Sequence, residues 1–294
     1  ITCRLFTLFQ NAAFMINPDN LNVIVYKPNV NFRIGISGMW KWFGMGLSIE
    51  NPFYKRNNET FGKTTFLDLR ANAFGRAVAA ELFLQRYRGF YISDPHREDG
   101  SHYIIPDMSA FSLGISVYWI YNASRFSIRA AFVQNERQKK SAGSFMVRPS
   151  FLFSSITSTN GIIPAEIVNQ FHIPSTDLVT DGDIYSFGLS PGYSYTIIFL
   201  KYFYLTATIF PAVSWQYYVY KTTKNSYIEN EFSFHLGGQF AIGYNSEYWF
   251  IGGSVQAGIR DIPRKLTNTY LNYDVEQFRI WGGTRFDWFR KKKK

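Results

Sequence analysis

Residues 125–153 read RFSIRAAFVQNERQKKSAGSFMVRPSFLF. Phe126, Ile128, Ala130 and Phe132 fall on one face of an extended chain, and Ser127, Arg129, Ala131 and Val133 on the other. After a basic turn the pattern returns, with Phe145, Val147, Pro149, Phe151 and Phe153 against Ser144, Met146, Arg148 and Ser150. A period of two residues is the signature of a strand. One face carries large aromatics and the other carries arginines among small residues. That suits a wall with lipid on one side and a polar lumen on the other. The stretch predicts a membrane-spanning hairpin. The rest of the chain repeats it, which predicts an all-β protein: a transmembrane, antiparallel, up-and-down β-barrel.

Composition agrees. Hydrophobic residues make up 46% of the 294 residues and aromatics 19%, yet the mean hydropathy is −0.14. Alternating lipid-facing and lumen-facing residues cancel in such an average. No run of about 20 apolar residues occurs, so no transmembrane helix is predicted. Cys3 is the sole cysteine, which excludes an internal disulfide and a cysteine-rich metal site. It is not the first residue and reads as an inert thiol, not a lipoprotein anchor. The opening residues lack a secretory signal, so the chain is expected to be mature or trimmed.

The net charge is +10, from 31 Lys and Arg against 21 Asp and Glu. The basic residues cluster in one turn, Arg137, Lys139 and Lys140, and in a tail, Arg290 to Lys294. No helix carries a basic stripe, so no nucleic-acid partner is predicted. Turn and tail face solvent, anionic head groups or a partner protein.

No linker interrupts the chain. One domain is predicted over 1–294: an N-terminal strand or hairpin segment at 1–30, a barrel at 31–289 and a basic tail at 290–294. Residues 31–50 and 64–87 each predict a hairpin, and so do 187–216 and 232–259. Together with 110–122, the opening stretch and a last strand at 277–289, they give about twelve strands, or fourteen if the N-terminal segment contributes. Short periplasmic turns and long extracellular loops should alternate. Backward from the C-terminus they do. Across 134–185 two long connections follow each other, so either a strand is missing from the reading or one periplasmic connection is long. The long loops are 93–109, 154–183 and 260–276, and PAEIVNQF within the second predicts two turns of helix with Pro164 at its first position. Phe286, Trp288 and Phe289 end the last strand and are the predicted insertion signal for the barrel-assembly machinery.

Five segments are more specific than the alternation: YKPN at 26–29, GISGMWKWFGMGLS at 35–48, RGFYI at 88–92, QNERQKKSAGSF at 134–145 and LSPGYSYT at 189–196. On these segments, over nearly its whole length, the chain resembles a Bacteroidota family of predicted outer-membrane barrels known as a domain of unknown function. The resemblance implies fold and location and no activity. Arg148 and Pro149 stand where the family has a small residue, which leaves the local strand register open.

With the apolar faces toward lipid, the lumen receives Arg33, Arg70, Arg125, Arg129, Arg148, Arg279 and Arg285, with Glu50, Asp68, Glu81 and Asp287. Buried charges must pair, so these residues form either a packed network that fills the barrel or a pore whose basic excess favours anions. His96 and His102 share a loop with Asp94, Glu98 and Asp99, but HREDGSH lacks a standard metal-ligand spacing. His235 should face the lumen with Ser233, about 7 Å along the same strand and too far for a base–nucleophile bond. Ser254 is the cross-strand alternative. Trp40, Trp42, Trp119, Trp215, Trp249 and Trp288 near strand ends predict interfacial girdles.

The expected function is that of an integral outer-membrane barrel in a Gram-negative bacterium, serving as a structural or accessory subunit of a larger outer-membrane complex. The alternatives are a small anion-preferring channel or transporter, and a barrel enzyme acting on lipid or protein. No catalytic, cofactor or metal site is predicted. The expected partners are lipopolysaccharide and phospholipid, the barrel-insertion machinery, and other outer-membrane proteins or lipoproteins.

Overall fold

The computed structural model describes residues 1–16, 24–30, 32–54, 57–170, 179–222, 224–260 and 271–286. Thirteen strands form one sheet. The first five are β1 (Thr2–Ile16), β2 (Ile24–Lys27), β3 (Phe32–Trp40), β4 (Phe43–Glu50) and β5 (Thr65–Phe74). Then come β6 (Val78–Asp94), β7 (Tyr103–Ile120), β8 (Ala142–Thr157) and β9 (Val179–Phe199). The last four are β10 (Phe203–Thr222), β11 (Ser226–Asn245), β12 (Trp249–Arg260) and β13 (Leu271–Arg285). Apart from β2, twelve strands run antiparallel around a ring that β13 closes onto β1, from Thr2 opposite Arg285 to Ile16 opposite Leu271.

The expected number of strands is met with a different membership. The N-terminal segment supplies β1, a full wall strand. Residues 125–133 leave the wall altogether, which corrects the reading of the opening stretch. After β7 the chain makes a turn at Tyr121–Arg125 and then a short helix, α2 (Ile128–Phe132), capped by the Ser127 hydroxyl accepting from the Ala130 N–H at 3.2 Å. Phe126, Ile128, Ala130 and Ala131 are buried. The apolar alternation of 126–132 therefore belongs to a plug inside the barrel, not to a strand facing lipid. The long connection noted across 134–185 is this one, and it lies on the side of the short turns, the periplasmic side.

The wall alternates as lipid and lumen require. Leu5, Ile36, Met45, Ile49, Phe232, Phe234 and Ile251 point outward and are exposed. The inward faces of β7 to β10 carry small hydroxyls that pair across the ladder: Ser112 with Ser154 at 2.9 Å, Ser194 with Thr208 at 2.7 Å and Thr196 with Thr206 at 2.8 Å. Such pairs satisfy buried polar groups without filling space. β8 stays in register with β9 through Arg148 opposite Ser190 and Pro149 opposite Leu189, while its pairing with β7 lapses at these two residues and resumes in the same register, Ser116 opposite Ser150 and Trp119 opposite Val147. Trp40, Trp42, Trp119 and Trp249 stand outward and exposed at the periplasmic strand ends, forming the expected girdle at that end. Cys3 is exposed and free.

One side of the wall changes partway up. Near the periplasm it runs β1–β3–β4–β5–β6, and higher it runs β1–β2–β6, with Phe14 opposite Tyr26 and Tyr26 opposite Ile92. Gly89 permits the change. It sits at φ 89° in a bulge of β6, and a Cβ there would lie 2.1 Å from the Lys63 carbonyl oxygen. Thr64 locks the junction, donating to the Gly89 carbonyl at 2.7 Å and accepting from the Asn29 N–H at 2.7 Å. The short helix α1 (Asn58–Phe61) lies beside this junction, with the Phe61 ring 5.1 Å from Tyr91.

At the extracellular end, residues 158–170 fold over the lumen. They include the expected helix, α3 (Ala165–Gln170), which begins one residue after Pro164 and not on it. Ile162, Ile163 and Ile167 pack with Phe14, Ile24, Tyr26, Phe90, Ile92, Met108 and Ile156 in one apolar cluster.

Candidate functional site: the lumen

The lumen contains three levels. Below the extracellular apolar cluster lies a charged layer. Arg33 and Asp68, both fully buried, pair at 2.6 Å. Asp68 also accepts from Arg70 at 3.1 Å and Gln85 at 3.0 Å, and Gln10 accepts from Arg33. The Arg33 guanidinium lies 5.2 Å from the centre of the Phe66 ring. Glu50 is the register partner of Arg33 on β4. A buried ion pair is tolerated only when its remaining hydrogen-bonding capacity is met, and Gln10 and Gln85 contribute to that here.

Nearer the periplasm is a chamber of about 140 Å³. Arg4, Arg70 and Arg279 line it, with Glu81, Asn72, Gln239, Ser254, Gln256 and Gln277. Its floor is the plug, through Ile128, Phe132 and Val133. Glu81 accepts from the Tyr118 hydroxyl at 2.9 Å. To one side, Arg148 rests 4.6 Å above Phe210 and 3.4 Å from the Ser190 hydroxyl. Gly192 makes room for Phe210, since a Cβ there would fall 2.2 Å from the ring.

The third level is the plug, residues 121–141, held both by its apolar side chains, Phe126, Ile128 and Val133 packing with Phe74, Tyr118, Ile120 and Met146, and by hydrogen bonds to its backbone carbonyls. Arg4 donates to Phe132 O at 2.9 Å and Gln134 Oε1 at 3.3 Å. Arg285 donates to Gln134 O at 2.7 Å, Glu136 O at 3.3 Å and Asn245 Oδ1 at 2.5 Å. Asn245 donates to Ala130 O at 3.1 Å, and Tyr204 donates to Ala131 O at 3.1 Å. Gln134 is wholly buried with φ 56°, a strained conformation for a non-glycine residue that these bonds impose.

Of the predicted lumen charges, Arg33, Asp68, Arg70, Glu81, Arg148, Arg279 and Arg285 stand on inward positions of the wall. Two do not. Arg125 is exposed in the turn that leads into the plug. Arg129 belongs to α2 and pairs with Glu136 at 2.5 Å. They are plug residues, so neither is part of a pore lining on the wall. Asp287, Trp288, Phe289 and His172 lie outside the described residues. Phe286 is described and joins the seam: its N–H donates to Ile1 O at 2.8 Å, and the Ile1 amine donates to Phe286 O at 2.8 Å. Gln85, read as inward beside Glu81, is inward and bound to Asp68; Arg4, Gln10 and Tyr118 were missed. Arg4 and Gln10 alternate with Leu5 and Phe9, a signal that was present but blurred by apolar Phe6 and Leu8 on the inward face.

In the loop after β6, the His96 and His102 rings lie 4.7 Å apart, tilted by 38°, and His102 Nδ1 lies 3.0 Å from Ile92 O. Hydrogen bonds from Ser101 hold the Asp99 carboxyl below the usual carboxylate range. Among the described residues, no group of three potential ligands could hold a metal. On β11 the register sets Ser254 opposite Ala241 and His235 opposite Ala212. Six positions separate Ala241 from His235, roughly 20 Å along the strand, so Ser254 is no partner for that imidazole.

This chain belongs to the DUF4421 family, a domain of unknown function, whose family model matches residues 1–286. No curated protein matches its sequence. Among solved structures it is similar to the outer-membrane protease OmpT from Escherichia coli, at 8% identity and a TM-score of 0.38, over 96% of this chain and 95% of that one. It is also similar to the beta domain of the Bordetella autotransporter BrkA, at 10% identity and a TM-score of 0.44, over 97% and 99%. A third is the translocator domain of the autotransporter NalP from Neisseria meningitidis, at 9% identity and a TM-score of 0.41, over 97% and 89%. At such values the likeness is one of barrel architecture and says nothing of activity.

Proposed function

We propose that this chain is an integral barrel of a Gram-negative outer membrane with an occluded lumen, serving as an accessory subunit of a larger outer-membrane assembly. One observation carries the reading: the chain spends residues 121–141 on a plug fixed from the wall by Arg4, Tyr204, Asn245 and Arg285. A conducting pore has no use for so many bonds across its mouth. The plug also presents Arg125, Arg137, Lys139 and Lys140 beside Arg76 around a recess on the periplasmic end. Glu136 is the single carboxylate among the residues lining that recess. A surface of this charge favours an acidic partner through steering and register.

The test is gentle extraction of the barrel tagged in an extracellular loop, compared with a variant carrying Lys139→Glu and Lys140→Glu. A stoichiometric partner that is lost with the charge reversal supports the reading. A monomer from both preparations overturns it. The second reading is a small anion-preferring channel, favoured by the basic excess of the lumen chamber. It expects anion-selective current in planar bilayers from the intact chain.

A further inference from the structure

The chamber between the plug and the Arg33–Asp68 layer has more positive charge than its own carboxylates answer. Three guanidiniums line it, from Arg4, Arg70 and Arg279, against one carboxylate, Glu81. Arg70 has a share of Asp68, but Asp68 is already bound to Arg33. Arg4 gives Nε and Nη1 to neutral acceptors: the Ser37 hydroxyl at 2.9 Å, a backbone carbonyl and a glutamine. Among the described residues neither Arg4 nor Arg279 has a carboxylate within ion-pair distance. Both guanidiniums instead lie over the same ring, Phe6, at 5.7 and 5.3 Å from its centre. Gly35 opposite leaves the space that ring occupies, since a Cβ there would come within 2.3 Å of it. The sequence thus builds an aromatic seat that brings two like charges together.

Like charges inside a narrow barrel repel and are costly to leave unanswered. Guanidinium forks match oxyanions in a planar, bidentate way. The remaining lining groups, Asn72, Gln239, Ser254, Gln256 and Gln277, are neutral hydrogen-bonding side chains. A volume of about 140 Å³ admits an ion of a few heavy atoms with one or two waters. We propose that this chamber is a binding site for a small oxyanion, of the class of inorganic phosphate, sulfate or a short carboxylate, held by Arg279, Arg70 and Arg4. The ion completes the charge balance of the lumen above the plug. This inference does not depend on the accessory-subunit reading.

The experiment is calorimetric titration of the detergent-solubilised full chain with inorganic phosphate, with sulfate and with acetate, each at constant ionic strength in chloride. The expected result is one saturable site for at least one of them and a melting temperature that rises with its concentration. Arg279→Gln should weaken binding at least tenfold. Arg97→Gln, in an extracellular loop, should leave it unchanged. Should Arg279→Gln fail to fold, Arg279→Lys keeps the charge but loses the fork and should bind several-fold more weakly. No saturable binding of any of the three ions overturns the proposal, and so does equal binding by the Arg279 variants. Loss of binding in Lys139→Glu/Lys140→Glu with Arg279→Gln unaffected would also overturn it, moving the site to the periplasmic recess.

Discussion

At the extracellular end, residues 158–170 are held by Ile162, Ile163 and Ile167 among Phe14, Tyr26, Ile92 and Met108. At the periplasmic end, residues 121–141 are held in large part by arginine, asparagine and tyrosine side chains that bind plug carbonyls. The first contact is non-directional and depends on apolar area. The second is directional and specifies one seating of the plug. The contrast teaches why the two loops read so differently in sequence. An isoleucine cluster announces burial, whereas the bonds that fasten the plug run to its main chain, which leaves no mark in its side-chain sequence.

The largest expected effect comes from the layer between the two ends. Asp68→Ala leaves Arg33 buried without its carboxylate and should cost about 3–5 kcal/mol. Heat-modifiability on gels should then show both ends loosening together. Ends that melt separately would mean the layer does not couple them. Ile167→Ala at the extracellular end should cost about 3 kcal/mol and be nearly indifferent to salt, as measured by thermal unfolding at low and high ionic strength. Arg285→Gln at the periplasmic end should cost about 2 kcal/mol, and it should speed tryptic cleavage at Lys139 and Lys140 while cleavage at Arg97 is unaffected. Asn245→Ala removes the donor to Ala130 and Glu136 carbonyls and should cost about 1 kcal/mol with a smaller gain in cleavage. If the isoleucine variant exposes the plug as much as the arginine variant does, the two ends are not independent and the comparison fails.

The barrel was legible because its outward face is strict. Runs such as Phe43, Met45, Leu47 and Ile49 leave no other use for the alternation. The plug was not legible, because FSIRAAF fits both periods. Phe126, Ile128 and Phe132 share a strand face, while Ser127, Ile128 and Ala131 equally suit a capped helical turn, and a short apolar run does not separate the two. The separating fact is tertiary: Asn245, Tyr204 and Arg285 wait on distant strands to receive it. The lumen charges on β3, β5, β6 and β13 were legible from alternation. Their pairing was not, since period two identifies a face but not which arginine meets Asp68. Arg4 escaped because Phe6 and Leu8 point inward beside it. Phe6, which looked like a break in the pattern, is the ring over which Arg4 and Arg279 lie.

Gln134 has a consequence for the order of assembly. It joins Arg4 of the first strand, 130 residues away, to Arg285 of the last, 151 residues away. Contacts of such sequence separation form late, after shorter loops have closed. Neither arginine alone completes the environment that holds Gln134 in its strained backbone. The segment that contains it is therefore the final piece to seat, and it can do so only on a ring already zipped along its seam. A chain stalled with β13 unpaired would trail a basic, cleavable stretch at Arg137 to Lys140 into the periplasm, where proteases could sort unfinished barrels from finished ones.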